Sequence, residues 1–203
     1  MSRHSENTPS RVRMMLGSAR VRALLALGMV LGTGAVGTMA AWTDTATATS
    51  GAFSTGTINL QLNNAEGNPT AYAFTALTKA NMSPGQSIAA MLSVQNKGSV
   101  AFTYTANTTS TTSTLAPYLK VSTYSGGTAA NASNVGTCSG TSIIANTSLV
   151  NGGTSANIIG TRSLPATSGV DDICFLVTLD AAAPSTVQGT TVTVTFNFTA
   201  TSV

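Results

Sequence analysis

Apolar side chains recur at every second position in several short runs from residue 58 onward, whereas helical spacing is hard to find after residue 41. Alternation with a period of two is typical of antiparallel strands that are buried on one face. Seven or more such strands predict an all-β antiparallel β-sandwich of two sheets. The runs are Ile58, Leu60 and Leu62; Tyr72 and Phe74; Ile88, Ala90, Leu92 and Val94; Val100, Phe102 and Tyr104; Leu119 and Val121; Ile173, Phe175, Val177 and Leu179; and Val192, Val194, Phe196 and Phe198.

Turn-forming residues lie between these runs. Pro84-Gly85, Gly98 and Asn151-Gly152-Gly153 provide the backbone conformations that hairpins and crossovers need. The segment 125–142 shows no alternation and is expected to be a loop, and 148–160 is expected to form a short hairpin. Because the composition does not change after residue 50, we predict one β-sandwich domain over residues 52–203.

The N-terminal region has the order of a secretory signal peptide. Arginines precede an apolar run, "ALLALGMVL", and small residues close it in "GTMAAW". We therefore predict that residues 1–40 are a signal peptide cut between Ala40 and Ala41 by a signal peptidase. The alternative is a retained single-pass helix, because the uncharged run from Ala23 is barely long enough to span a bilayer.

Charge is concentrated in that leader. Its five arginines against Glu6 make it basic, whereas the remaining 163 residues contain four basic and five acidic side chains. The sequence therefore gives no reason to expect a nucleic-acid partner, and it predicts membrane contact only through an uncleaved signal segment. Threonine is abundant after residue 40, which fits strands whose outer face is wetted by hydroxyl groups.

The residues that carry chemistry are few. The only histidine is His4, in the leader, so Ser-His-Asp, Cys-His and His-ligated zinc sites are excluded from the mature chain. Asp171 and Asp172 are neighbours on a predicted strand and should point to opposite faces, which argues against their acting together on one substrate. A calcium site built from this pair with Asp180 or Asp44 is an alternative, although nothing in the spacing marks it. We predict no catalytic residue, no cofactor and no metal. Cys138 and Cys174, the only cysteines, predict one disulfide in an exported chain, the alternative being two buried thiols.

Two blocks of sequence, in order, resemble the TasA/camelysin family, whose exported members are processed by a dedicated signal peptidase often called SipW. The first contains Ala40, Ala41, Trp42 and Asp44, followed by Phe53-Ser54-Thr55-Gly56-Thr57. The second is 81–104, in which Gln86 stands where the family usually has an acidic residue, and its matching positions are Pro84, Gly85, Asn96, Gly98 and Ser99.

This resemblance implies a jelly-roll-like sandwich that is secreted and assembles into fibres of the biofilm matrix or cell surface. In fibre-forming members the segment after the cleavage site is a donor strand that completes the sheet of the next subunit, giving a head-to-tail homopolymer. Here that N-terminal extended segment is 41–51. Its expected assembly residues are Trp42, Thr43, Asp44, Thr45, Ala46 and Thr47. Packing of Trp42 into its own domain is the alternative.

Two other functions are compatible with a secreted β-sandwich. Camelysins are described as metalloendopeptidases, but the absence of histidine from the mature chain disfavours that activity here. A carbohydrate-binding or host-binding adhesin would share the same fold. We therefore expect a non-enzymatic, secreted structural subunit.

Overall fold

The structure is a computed structural model that describes residues 19–36 and 46–203. Its helix, α1, spans Ala19–Val36 and is rich in Ala, Leu and Arg, which are strong helix formers. Within the described residues, no helix combines the length and apolarity needed to cross a membrane. The predicted cleavage site at Ala40 and Ala41 lies outside the described residues.

In the described range 46–203, ten strands form three antiparallel sheets, and the predicted all-β sandwich after an N-terminal helix is confirmed. The large sheet has the order β1-β2-β9-β4-β7, the small sheet β10-β3-β8, and a two-stranded hairpin pairs β5 with β6. The strands are β1 Leu60–Leu62, β2 Ser87–Asn96, β3 Phe102–Ser110, β4 Leu119–Ser125, β5 Ala129–Ala132, β6 Val135–Cys138, β7 Thr141–Ser148, β8 Ile159–Leu164, β9 Gly169–Leu179 and β10 Val194–Ser202.

The core lies between the large and small sheets. Alternate residues of the central strands point inward and are almost fully buried, as the alternating pattern predicts. An aromatic cluster bridges the sheets, with the Phe175 ring of β9 at 5.1 Å from the Phe196 ring of β10. The most deeply buried side chains of the core include Val94, Phe102, Tyr104, Val121, Ile158, Ile159, Ile173 and Phe175.

Two stretches differ from the sequence prediction. The run around Tyr72 and Phe74 is not a strand but a connection that ends in a 3-10 turn, Thr75–Leu77. Its alternation arises because Phe74 packs edge-on against Phe175, which is a core contact made from a loop. The segment 148–160 is not a hairpin, because it crosses from β7 in the large sheet to β8 in the small sheet.

The segment 125–142 was expected to be a loop, but it contains the β5–β6 hairpin. The predicted disulfide between Cys138 and Cys174 is present, with the two Cα atoms 5.8 Å apart, and it ties this hairpin to β9. The hairpin also covers part of the edge of β2. The Asn131 side chain accepts a hydrogen bond from the Ala89 N–H and donates one to the Ala89 carbonyl, both at 2.8 Å.

Candidate assembly site: the free edge of β10

The sandwich has four outer strands, and three of them are poor templates for another strand. β1 is only three residues long, and its own turn pairs back onto it through a bridge between Leu62 and Ala65. The pairing of β7 with β4 and that of β8 with β3 are both interrupted by register shifts. Short strands and bulges are the usual devices that prevent edge-to-edge association.

β10 has none of these devices. It pairs with β3 in unbroken register over all nine residues, from Val194 opposite Ser110 to Ser202 opposite Phe102. Within the described residues, no strand pairs with its other edge. Thr111 N donates to Thr193 O, which places the odd-numbered residues of β10 in hydrogen bonds with β3. By the alternation of an antiparallel ladder, the even-numbered residues direct their N–H and C=O groups to the free edge.

The inward face of β10 is also incompletely covered. Its inward side chains are Val194, Phe196, Phe198 and Ala200, and all four are only partly buried. The inward side chains of the neighbouring strand β3, by contrast, are at most 2 % exposed from Phe102 to Ala106. The interior of the sandwich is therefore covered at β3 and β8 but partly open at the outer edge of β10.

An apolar groove of about 1060 Å³ lies at this open side. One wall comes from the large sheet, including Leu92 and Val177, and the other from Phe196 and Phe198 of β10. The connection that carries Phe74 also lines the groove. A β-strand placed beside β10 would meet unpaired backbone groups on one side and apolar side chains below, which are the two features that strand addition uses.

The predicted assembly residues are placed only in part. Trp42, Thr43, Asp44 and Thr45 lie outside the described residues, so their assembly role stays a prediction. Ala46 and Thr47 are exposed, as is every residue from 46 to 58. This stretch contains two large apolar side chains, Phe53, which is 92 % exposed, and Ile58, which is 43 % exposed. The chain joins the sandwich at Thr57, whose N–H donates to Ser99 Oγ at 2.9 Å.

Asp171 and Asp172 point to opposite faces, as predicted from their adjacency. Asp172 accepts a hydrogen bond from the Ser93 hydroxyl on the outer face. Asp171 accepts hydrogen bonds from Arg162 and, at 2.6 Å, from the Tyr104 hydroxyl in the interior. Arg162 also donates to Ser125 Oγ at 2.8 Å.

This network joins the two sheets. Tyr104 and Arg162 belong to the small sheet, and Asp171 and Ser125 belong to the large sheet. Burial, reinforced by the hydrogen bond to the Asp171 carboxylate, raises the pKa of Tyr104 well above its usual range. The hydrogen bond to Asp171 likewise raises the pKa of the Arg162 guanidinium. Every group is satisfied by its neighbours, which indicates a structural role.

Among the described residues, no cluster of three or more His, Cys, Asp or Glu side chains is arranged to hold a metal ion. Residues 164–169 form the tight connection from β8 to β9, where Thr167 N donates to Gly98 O at 2.9 Å. It is therefore part of the fold's framework.

Sequence reasoning identified the alternation of Val194, Phe196 and Phe198 but did not identify this strand as an open edge. The Tyr104–Asp171–Arg162 network was also missed. One signal for it was present, since Arg162 is the only arginine after residue 40 and lies in a strand-like run. The chain matches no protein-family profile, and no curated protein is significantly similar to it.

Proposed function

We propose that this protein is a secreted, non-enzymatic structural subunit that polymerises head to tail into extracellular or cell-surface fibres, as in a biofilm matrix. The N-terminal segment of one copy adds a strand beside β10 of the next. The observation that carries this proposal is the free, regular edge of β10 above the open apolar groove. The resemblance of two sequence blocks to the TasA/camelysin family supports the same assignment.

The N-terminal segment has the properties of a donor. In this proposal the donor also takes in the exposed residues 52–55, which follow segment 41–51. Residues 46–55 contain no charged side chain and are rich in threonine and alanine, so they accept an extended backbone and a buried environment. Ten extended residues span roughly 33 Å, which matches the length of the nine-residue strand β10. Phe53 adds an exposed aromatic ring at the end nearest the domain.

Both partners gain from the contact. Fully burying an apolar side chain such as Phe stabilises a complex by about 1.5–3 kcal/mol, and Phe53, Phe196 and Phe198 each have surface left to bury. The backbone bonds to β10 add affinity that does not depend on side-chain identity. Because donor and acceptor are different surfaces of one subunit, the contact is heterologous and propagates into a filament when its rotation does not close a ring.

Two variants of the mature chain separate donor from acceptor. Deletion of residues 41–55 removes the donor and leaves β10 intact. Ala200→Pro removes an N–H that faces the free edge, so it blocks the acceptor while the bonds to β3 remain. Ala200→Ser is the matched control, because it keeps the N–H at the same position.

We expect the mature chain and Ala200→Ser to form fibres in electron micrographs, and the deletion and Ala200→Pro variants to stay monomeric with cooperative thermal unfolding. Mixing the two monomeric variants should give a one-to-one dimer, because one supplies the acceptor and the other the donor. Fibres from either blocked variant, or folded variants that never form the dimer, would contradict the proposed assembly.

A further inference from the structure

The outer face of the small sheet is a second surface that the donor-strand contact does not use. Outward side chains of β10 and β3 lie directly opposite each other in matched pairs, and each pair joins two residues of the same type. The pairs are Thr195 with Thr109, Asn197 with Asn107, Thr199 with Thr105, and Thr201 with Thr103. Thr161 and Ser163 of β8 extend this surface, which we call the Thr/Asn face.

The Thr/Asn face is uncharged. None of its outward positions on β3, β8 or β10 carries Lys, Arg, Asp or Glu, and none carries an aromatic ring. Arg162 of β8 points inward to Asp171 and does not contribute charge to the face. The Asn197 side-chain amide donates to Asn107 Oδ1 at 3.1 Å, so the central pair of the face is ordered by its own hydrogen bond.

The compact unit around this face is electrically neutral. From Phe53 to Val203 it has four basic and four acidic side chains, so the formal side-chain charge is zero. Two of the basic side chains are neutralised in ion pairs, Lys120 with Asp180 and Arg162 with Asp171. Asp44 is the only further charged residue of the mature chain, so copies of the chain repel each other little, which favours association.

From these observations we propose that the Thr/Asn face is a self-association surface that packs against the same face of a second copy and joins fibres side by side. Stacked sheets pack face to face at about 10 Å, and Asn ladders contribute to the dry interfaces that form between sheets with identical side chains. The Thr, Ser and Asn side chains of the face each donate and accept hydrogen bonds, so two copies of the face can bond to each other without like-charge repulsion. A sugar ligand, by contrast, would find no aromatic ring to stack upon.

This inference rests on the proposed function, because a polymer repeats the face in every subunit. β10 contributes to both surfaces, so the Thr/Asn face is presented along the fibre at a constant angle to the donor-strand contact. A weak contact repeated along two fibres accumulates by avidity, although a single pair of subunits would associate only weakly. Isolated subunits should therefore not form dimers through this face.

The test introduces like charge into the face. Thr105→Lys combined with Thr201→Lys places two lysines on separate strands, in neighbouring matched pairs of the face, and changes no residue that lines the groove. The matched control is Thr137→Lys combined with Thr141→Lys, which adds the same charge at exposed positions of β6 and β7. Fibres are imaged and their side-by-side association is measured by low-speed sedimentation.

We expect bundles from the wild-type chain and the control, and single fibres from Thr105→Lys/Thr201→Lys. Bundling should return at about 1 M salt, where the screening length falls to about 3 Å. Bundles that persist in the face variant at low salt, or wild-type fibres that never bundle, would overturn this inference alone. A wild-type chain without fibres would overturn the proposed function and this inference together. Retention of the donor-deleted monomer on crystalline polysaccharide, lost in the face variant, would assign the face to a glycan instead.

Discussion

Asn substitution of Asp171 is the sharpest test of how the two sheets are held together. The Asp171 side chain is 12 % exposed and receives hydrogen bonds from Tyr104 and Arg162, both on the opposite sheet. Asp171→Asn keeps the shape of the side chain but removes its charge, and it replaces one of the two oxygens that accept hydrogen bonds from Tyr104 and Arg162 with an NH2 donor. The guanidinium of Arg162 is then left between the sheets without a counter-ion.

The magnitude follows from the burial of the pair. Removing one partner of a fully buried ion pair costs about 3–5 kcal/mol. The Arg162 side chain is 30 % exposed, so water can rehydrate part of it, and we expect a loss of about 2–3 kcal/mol in the free energy of unfolding. For a domain of this size such a loss lowers the melting temperature by roughly 5–10 °C.

Asp172→Asn is the matched control, because it is the next residue and carries the same chemical change on the outer face. Asp172 is exposed, and its bond from Ser93 can be made equally well by an amide. We expect its free energy of unfolding to change by at most about 0.5 kcal/mol. Chemical denaturation with the donor-deleted monomer avoids interference from assembly. Equal effects of the two substitutions would refute the proposed role of Asp171 between the sheets.

Three further predictions concern stability. Folding raises the pKa of Tyr104, so the stability that this residue contributes is retained below the unfolded tyrosine pKa of about 10 and lost as the pH rises above it. Ultraviolet titration should reveal one tyrosinate that forms only on unfolding and is absent in Tyr104→Phe. The disulfide between Cys138 and Cys174 closes a loop with a sequence separation of 36, so its reduction should lower the free energy of unfolding by about 4 kcal/mol in the chain-entropy model. Chemical denaturation with and without reductant measures this loss. Gly98→Ala would place a Cβ atom 2.3 Å from Thr57 O and should destabilise by about 1–3 kcal/mol, whereas Gly160→Ala, with open space around it, should have a much smaller effect in the same assay.

The strands of the core could be predicted because each of them buries one face. β2 and β9 alternate clearly, and the structure buries the alternate residues that the sequence indicated. The β5–β6 hairpin could not be predicted in this way, since most of its residues are exposed and it is held by Asn131 and the disulfide rather than by the core. The prediction of a strand at Tyr72 and Phe74 was wrong because apolar loop residues that cover a groove can alternate along the sequence as strand residues do.

The candidate assembly site was only half predictable, for a physical reason. The proposed donor lies in one continuous segment, so its low charge, with Asp44 the only charged residue of 41–55, and its preference for an extended backbone can be read directly from the sequence. The acceptor depends on which strand lies at an edge. The alternation of Val194, Phe196 and Phe198 in β10 matches that of a central strand. Only the structure, in which β10 pairs with β3 and with no other strand of the described residues, shows that β10 is an edge strand.

The exit point of the N-terminal segment bears on whether it fills the groove of its own subunit or that of a neighbour. Thr57 is bonded to Ser99, and Val203 N donates to Ala101 O, so the segment leaves near the end of β10. If it folded back along its own β10, it would run parallel to that strand, and parallel pairing is slightly less stable per residue. A neighbour's segment has no such constraint and can pair antiparallel. We therefore expect occupancy of the groove to fall on dilution, whereas a segment bound to its own subunit would stay in place at any concentration.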